Sequence, residues 1–261
     1  MKTKSFKFIS FLMTLIMALS MTPALAVSAR EIDHVGLSKV SLKVKNTDAY
    51  YYDGSGTFYC LAGERPTVSA SINGLSEGNY YDLDVELYKE GYYVTGDSYG
   101  HLSGKPYSIT LPKLSVGRYM VRYTFSGKDI SEKSFNYSIY VMDKNAYSFC
   151  DNLFNAFGVP KTAETEQYKY MNAYSLSIDD VMSRMVITMA YNKSNINNVS
   201  NEDFVNALYK GILQREADKG GYAYWLNKLN SGKKSRAEVT AAFMTSDEFK
   251  NVTCKNFNIP W

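Results

Sequence analysis

The chain reads as two folds in series, an antiparallel β-sandwich followed by an all-α module of two tandem short-helix units. Apolar and polar residues alternate from about residue 35 to 142, and from Asn145 onward the apolar residues recur at spacings of three and four. Period two marks a strand with one buried face, and period 3.6 marks an amphipathic helix. Length agrees with a division, because taking the first 26 residues from 261 leaves about 235, enough for two ordinary domains.

Those first 26 residues have the layout of a secretory signal peptide. Lys2, Lys4 and Lys7 precede an apolar run from Phe8 to Met21, and Ala24-Leu25-Ala26 follows as a small-x-small cleavage motif. The run is shorter than the roughly 20 residues that a spanning helix needs, so no membrane span is expected after signal removal. Removing those three lysines from 29 basic residues leaves 26, against 26 acidic ones, so the mature chain is neutral. A neutral chain without basic clusters lacks the footprint of a nucleic-acid binder, and that class is excluded. No Cys closely follows the apolar run, so the expected product is secreted, free or held non-covalently in the extracellular or cell-surface space.

In the sandwich region, residues 35–142, the strands announce themselves in order. Val40, Leu42 and Val44 alternate with polar residues, as do Val68, Ala70 and Ile72, and then Leu83, Val85 and Leu87. Further strands are expected at Tyr107–Leu111, Tyr119–Phe125 and Phe135–Val141. Asp82, Asp84 and Glu86 read as the solvated face of one strand, not as a calcium loop, because period two separates them and no compact Asp/Asn/Gly loop accompanies them. Fifteen of the 23 tyrosines fall between residues 50 and 140, including "YYYDGSGTFY". Tyr50, Tyr51, Tyr52 and Tyr59 are therefore candidate ligand-facing aromatics, weighed against the ordinary preference of strands for Tyr. "GDSYGHLSGK", residues 96–105, reads as a turn-rich loop.

In "LSVGRYMVRYTF" a Tyr stands two residues after a Gly, Gly117 and Tyr119. This resembles the corner before the penultimate strand of immunoglobulin-like domains, which implies that the Tyr119 hydroxyl bonds back to the preceding loop.

The helical region shows three stripes: Phe204, Leu208 and Ile212; then Tyr222, Trp225, Leu226 and Leu229; then Val239, Ala242 and Phe243. Ser235 and Glu238 form a capping box, Asp218 stands where an N-cap belongs, and Arg215 is placed to bond the last carbonyls of the preceding helix or Asp218 itself. Trp225 is expected in the helical core. The same pattern occurs earlier in degenerate form over 145–200, Phe149 matching Phe204, Leu153 matching Leu208 and Ser177 matching Ser235, while 251–261 reads as a tail.

Residues 201 to 250, with Phe204, Leu208, Tyr209, Leu213, Arg215, Asp218, Gly221, Tyr224, Trp225, Leu229, Gly232, Ser235, Val239, Phe243, Ser246 and Phe249, resemble the bacterial domain of unknown function 4214. That family is similar to the phycobilisome linker domain. The resemblance implies an exported, helical, non-catalytic accessory or interaction role and brings no active site with it.

Catalytic signals are weak throughout. His34 and His101 are the two histidines, and no phosphate-binding Gly loop or metal-ligand spacing occurs, so no cofactor and no metal are expected. Cys60, Cys150 and Cys254 leave both a Cys150–Cys254 bridge and buried free thiols open. The reading is a secreted, non-enzymatic protein binding protein or glycan at the cell surface. The alternative is a secreted hydrolase or inhibitor-type factor with a site between the modules, using Cys150 and His101. Mass spectrometry of exported protein should find an N-terminus at Val27, or at Arg30 if Val27-Ser28-Ala29 is cleaved, and an intact Met1 in the cytosol would refute export.

Overall fold

The computed structural model describes residues 36–43, 51–52, 56–73, 81–102, 107–127, 130–179 and 182–259. The signal-peptide segment, Tyr50 and His34 lie outside the described residues, and of Tyr51 and Tyr52 only the strand backbone is described.

Two sheets enclose the first core. Strands β1 (Gly36–Lys43), β4 (Thr67–Asn73) and β7 (Tyr107–Thr110) form one, in that order. The other runs β2 (Tyr51–Tyr52), β3 (Thr57–Leu61), β9 (Ile130–Met142), β8 (Gly117–Gly127), β5 (Tyr81–Lys89) and β6 (Tyr92–Leu102). Val68 and Ile109 from the small sheet meet Phe58, Leu83, Val85, Val121, Tyr123 and Ile139 from the large one. On β5 the buried residues Leu83, Val85 and Leu87 alternate with exposed Asp82 and Asp84, which fixes the register by burial. The large sheet is mixed, not antiparallel throughout, because β3 pairs in parallel with β9, Thr57 opposite Ser138 and Leu61 opposite Met142. "GDSYGHL" also departs from expectation, since residues 96–102 continue the edge strand β6 instead of looping. An edge strand with little to bury carries no clear alternation, so its pattern is silent.

The chain then passes from sheet to helix across a single residue. Asp143 follows β9 and caps α1 (Lys144–Phe157), its carboxylate accepting from the Asn145 N–H at 2.8 Å and the Ala146 N–H at 3.2 Å. Next come α2 (Ala163–Ile178), α3 (Met182–Lys193), a 3-10 turn (Ile196–Asn198), α4 (Asn201–Gly211), α5 (Lys219–Asn230) and α6 (Arg236–Met244). A π-helical turn (Phe249–Thr253) and the short α7 (Cys254–Asn256) end the described residues. No helix among the described residues is long and apolar enough to cross a membrane.

Phe149, Leu153 and Phe154 of α1 and Phe204, Leu208 and Tyr209 of α4 are all buried in one helical core, so the two units meet through matching positions. Ser177 breaks the parallel: it lies inside α2, where its hydroxyl donates to the Ala173 carbonyl at 2.7 Å and accepts the Asp143 N–H at 2.8 Å. It therefore ties α2 to the start of α1 and caps no helix of its own. Cys60, Cys150 and Cys254 are free and buried.

Strand β3 joins the two cores. Phe58 and Cys60 face the sandwich, whereas Tyr59 and Leu61 face the helices. Tyr59 is only 4% exposed, stacked on Tyr140 at 5.6 Å and against Tyr170 of α2 at 5.8 Å between ring centroids. It is an inter-module packing residue and not the ligand-facing aromatic its neighbourhood suggested.

The corner at Tyr119 closes the loop before β8. The Ser115 N–H donates to the buried Tyr119 hydroxyl at 3.2 Å, and Gly117 turns the chain at a φ of 142°. Tyr119→Phe should lower stability by about 1 kcal/mol, as for one lost hydrogen bond, in urea unfolding followed by tyrosine fluorescence. An unchanged midpoint would contradict this role.

Candidate functional site

Two polar constellations stand out, one in the helical module and one on the sheet.

In the helical module, α4 ends at a turn carrying Arg215, and Asp218 opens α5. The Asp218 carboxylate accepts from the Gly221 N–H at 2.8 Å, which makes it the N-cap. That bond comes first, and Arg215 second, in holding its pKa below the usual carboxylate range. Arg215 reaches mainly elsewhere. It grips Glu248 through both Nε and Nη2, the latter at 2.9 Å, donates to the Glu216 carbonyl at 2.9 Å, and approaches Asp218 only at 3.4 Å. Its guanidinium also lies over the Tyr209 ring, 4.8 Å from the centroid. Of the two expected partners, Asp218 is met at 3.4 Å and the last carbonyls of α4 are not, and the closer ion pair runs across to Glu248 in the segment before the π turn. That partner is 33 residues away and cannot be read from local spacing.

Gly221 is required by contact: a Cβ there would stand 2.1 Å from the Tyr209 hydroxyl. The Tyr209 ring in turn meets Phe243 edge-on, 5.0 Å between centroids. Trp225 is only partly buried, packed on Phe243 at 5.5 Å, so it rims the helical core and does not fill it. The reason is that α5 buries Leu229 alone and leaves Tyr224 53% exposed. Ser235 and Glu238 form the capping box, the Ser235 N–H donating to Glu238 at 2.8 Å, and this bond and Lys234 draw the Glu238 pKa down to about 2. Every polar group in this cluster is engaged by another residue of the chain. The arrangement braces a turn.

The sheet constellation is open. On the outer face of β6, β5, β8 and β9, Asp84, Thr124 and Ser134 lie in one row across the strands, and Glu86, Arg122 and Asn136 in the next. They line a shallow trough that Tyr93 borders and Gly96 floors. The Tyr88 hydroxyl donates to Glu86 at 2.9 Å and accepts from Arg122 at 3.2 Å, while Arg122 lies 4.9 Å above the Tyr88 ring centroid. The bond to Glu86 leads in raising the Tyr88 pKa, so this hydroxyl stays protonated. Tyr93 meets Tyr88 edge-on at 5.8 Å. Tyr92 and Tyr93 are 80% and 60% exposed.

Of the sequence-based candidates, Arg215, Asp218, Gly221 and Trp225 come together in the helical turn, while Ser235, Glu238 and Tyr119 stand apart as separate caps and corner. The trough residues were missed. Their one visible signal was the alternation Asp82, Asp84, Glu86, which showed a solvated face but not what flanks it. Among the described residues no group of three or more His, Cys, Asp or Glu is placed to hold a metal ion.

Residues 182–253 match the model of the family described as Domain of unknown function (DUF4214). The C-terminal module is similar to that family. The match opens at α3, ahead of residue 201, and so takes in α3 through the π turn. No curated protein matches the chain. Among solved structures, CopC from Methylosinus trichosporium OB3b is 19% identical over 41% of this chain and 93% of that one, with a TM-score of 0.29. The PmoD soluble domain from Methylocystis sp. ATCC 49242 (Rockwell) is 11% identical over 42% and 98%, with a TM-score of 0.31. The β-glucuronidase of Parabacteroides merdae is 12% identical over 42% of this chain and 14% of its own, with a TM-score of 0.29. Likenesses at such scores carry no conclusion about function.

Two outcomes follow for the helical turn. Asp218→Asn should retain more of the thermal unfolding midpoint than Asp218→Ala, because Asn caps well and the charge itself matters less. Glu238 is depressed, so its contribution is present above the ordinary value of 4.5 and is lost as pH falls toward about 2. The midpoint gap between the native chain and Glu238→Gln should therefore close over that window in a pH series of thermal melts.

Proposed function

We propose that the mature chain is an exported, non-enzymatic interaction protein that binds protein or glycan through the uncovered outer face of its large sheet. The observation that carries this reading is the polar trough bordered by Tyr93, which is 60% exposed. A largely exposed aromatic ring beside polar side chains offers a partner a flat apolar face with hydrogen-bonding neighbours. The helical module supports the same reading, since it covers the Tyr59–Tyr140 side of the face and leaves the other side open. Extracellular or cell-surface placement rests on the N-terminal Lys-rich, apolar and small-residue pattern.

The buried state of Cys150 supports this reading over the hydrolase alternative. Cys150 is buried in the helical core, and burial leads in raising its thiol pKa, which disfavours the thiolate that nucleophilic attack needs. In a screen of the mature chain against glycan and protein arrays, a true ligand should lose roughly tenfold or more in affinity with Tyr93→Ala, as for an aromatic hot spot. The unfolding midpoint should not move. Ligands insensitive to Tyr93→Ala would place binding elsewhere.

A further inference from the structure

The trough has a chemistry that narrows its ligand, given the reading above that this face is the binding surface. We infer that it is a carbohydrate site for oligosaccharides carrying unsubstituted amino groups. Three observations lead there.

The first is shape. Gly96 keeps the floor open, since a side chain there would stand 3.0 Å from the Val85 carbonyl oxygen and 3.1 Å from the Tyr93 hydroxyl. The trough crosses four strands, about 14 Å at the usual strand separation, and it stays shallow. It offers no deep apolar pocket of the kind that anchors a peptide side chain. A flat, extended ligand with polar groups along its edge fits it better.

The second is the pairing of surfaces. Tyr93 supplies an exposed ring at one wall, and the neighbouring strands present Asn136 and the Thr124–Ser134 hydroxyl pair, 2.9 Å apart. Saccharide rings have an apolar face of C–H groups and a rim of hydroxyls, which matches an aromatic wall beside polar side chains.

The third is charge. Arg122 is already committed to Glu86 at 3.5 Å and to Tyr88, whereas Asp84 and Glu132 have no ion-pair partner among the described residues. The carboxylates of the trough without an ion-pair partner among the described residues, Asp84, Asp97 and Glu132, repel uronate or sulfated chains and attract ammonium groups. Hydroxyl-only sugars satisfy these acceptors too, but without the attraction between opposite charges.

Isothermal titration of the mature chain against four probes tests this: a β-1,4-linked glucosamine hexamer, its fully N-acetylated form, a galacturonate oligomer and an oligolysine peptide. The glucosamine hexamer should bind at least tenfold more tightly than the acetylated form, and galacturonate should not bind. Asp84→Asn should weaken the glucosamine hexamer about tenfold, Asp84→Asn with Glu132→Gln further, and Tyr93→Ala should abolish binding. Added salt should weaken it, as for exposed charges. Equal or tighter binding of the acetylated hexamer would overturn the inference, as would tighter binding of oligolysine or binding untouched by the double substitution. If all four probes fail while an array ligand is lost with Tyr93→Ala, the amino-sugar assignment falls and the binding face stands. If no ligand responds to Tyr93→Ala, both fall.

Discussion

The structure depends on one strand being buried on both of its faces. In β3 the side chains of Phe58 and Cys60 enter the sandwich while Tyr59 and Leu61 enter the helical core, so a single five-residue strand belongs to both. Its parallel partner β9 repeats the arrangement, with Ile139 and Val141 toward the sandwich and Tyr140 and Met142 toward the helices. Residues that a half-exposed sheet would leave in water are covered by Tyr170 and Tyr174 of α2. The short passage through Asp143 adds to this. Its backbone N–H is held by Ser177 and its carboxylate caps α1, so the end of β9, the start of α1 and the last turn of α2 meet at one residue.

That arrangement explains why the two helical units differ. In the first, α2 buries Tyr170, Ala173 and Leu176 and is flanked by the sheet as well as by α1. In the second, the equivalent helix α5 has no sheet beside it, and Leu229 is its single buried residue. Trp225 sits at the repeat position of Tyr170 and is only partly buried, its ring against Phe243 at 5.5 Å and Tyr224 at 4.9 Å. The second unit compensates with polar bracing. Arg215 bridges to Glu248, and Gly221 lets the Tyr209 hydroxyl approach the start of α5. A partly exposed, bidentate pair of this kind holds geometry more than it adds stability.

The same covering divides the outer face of the sheet. Its Tyr59–Tyr140 side is apolar because helices lie over it, and its Asp84–Arg122–Tyr93 side is polar because they do not. The position of the helical module thus decides where a ligand could reach the sheet. Three buried thiols fit the same picture, their pKa values raised chiefly by burial, to about 12 for Cys60 and about 11 for Cys254. They serve as small apolar packing groups.

By itself the sequence determined the order of the two modules, the strands with one wet face, and the local helix caps. Leu83, Val85 and Leu87 alternate with carboxylates because burial and solvent lie on opposite sides of one strand, and Asp218 and Ser235 cap because their partners are three residues away. Such features depend on near neighbours, and near neighbours are written in the chain. Only the tertiary structure decided the fate of Tyr59, the strand character of residues 92–102, the Arg215–Glu248 pair and the trough. A strand buried on both faces loses its alternation, and an edge strand with little to bury never acquires one. The trough draws on four strands that are distant in sequence, so its acceptors, its aromatic wall and its glycine floor become one surface only when β6, β5, β8 and β9 lie side by side.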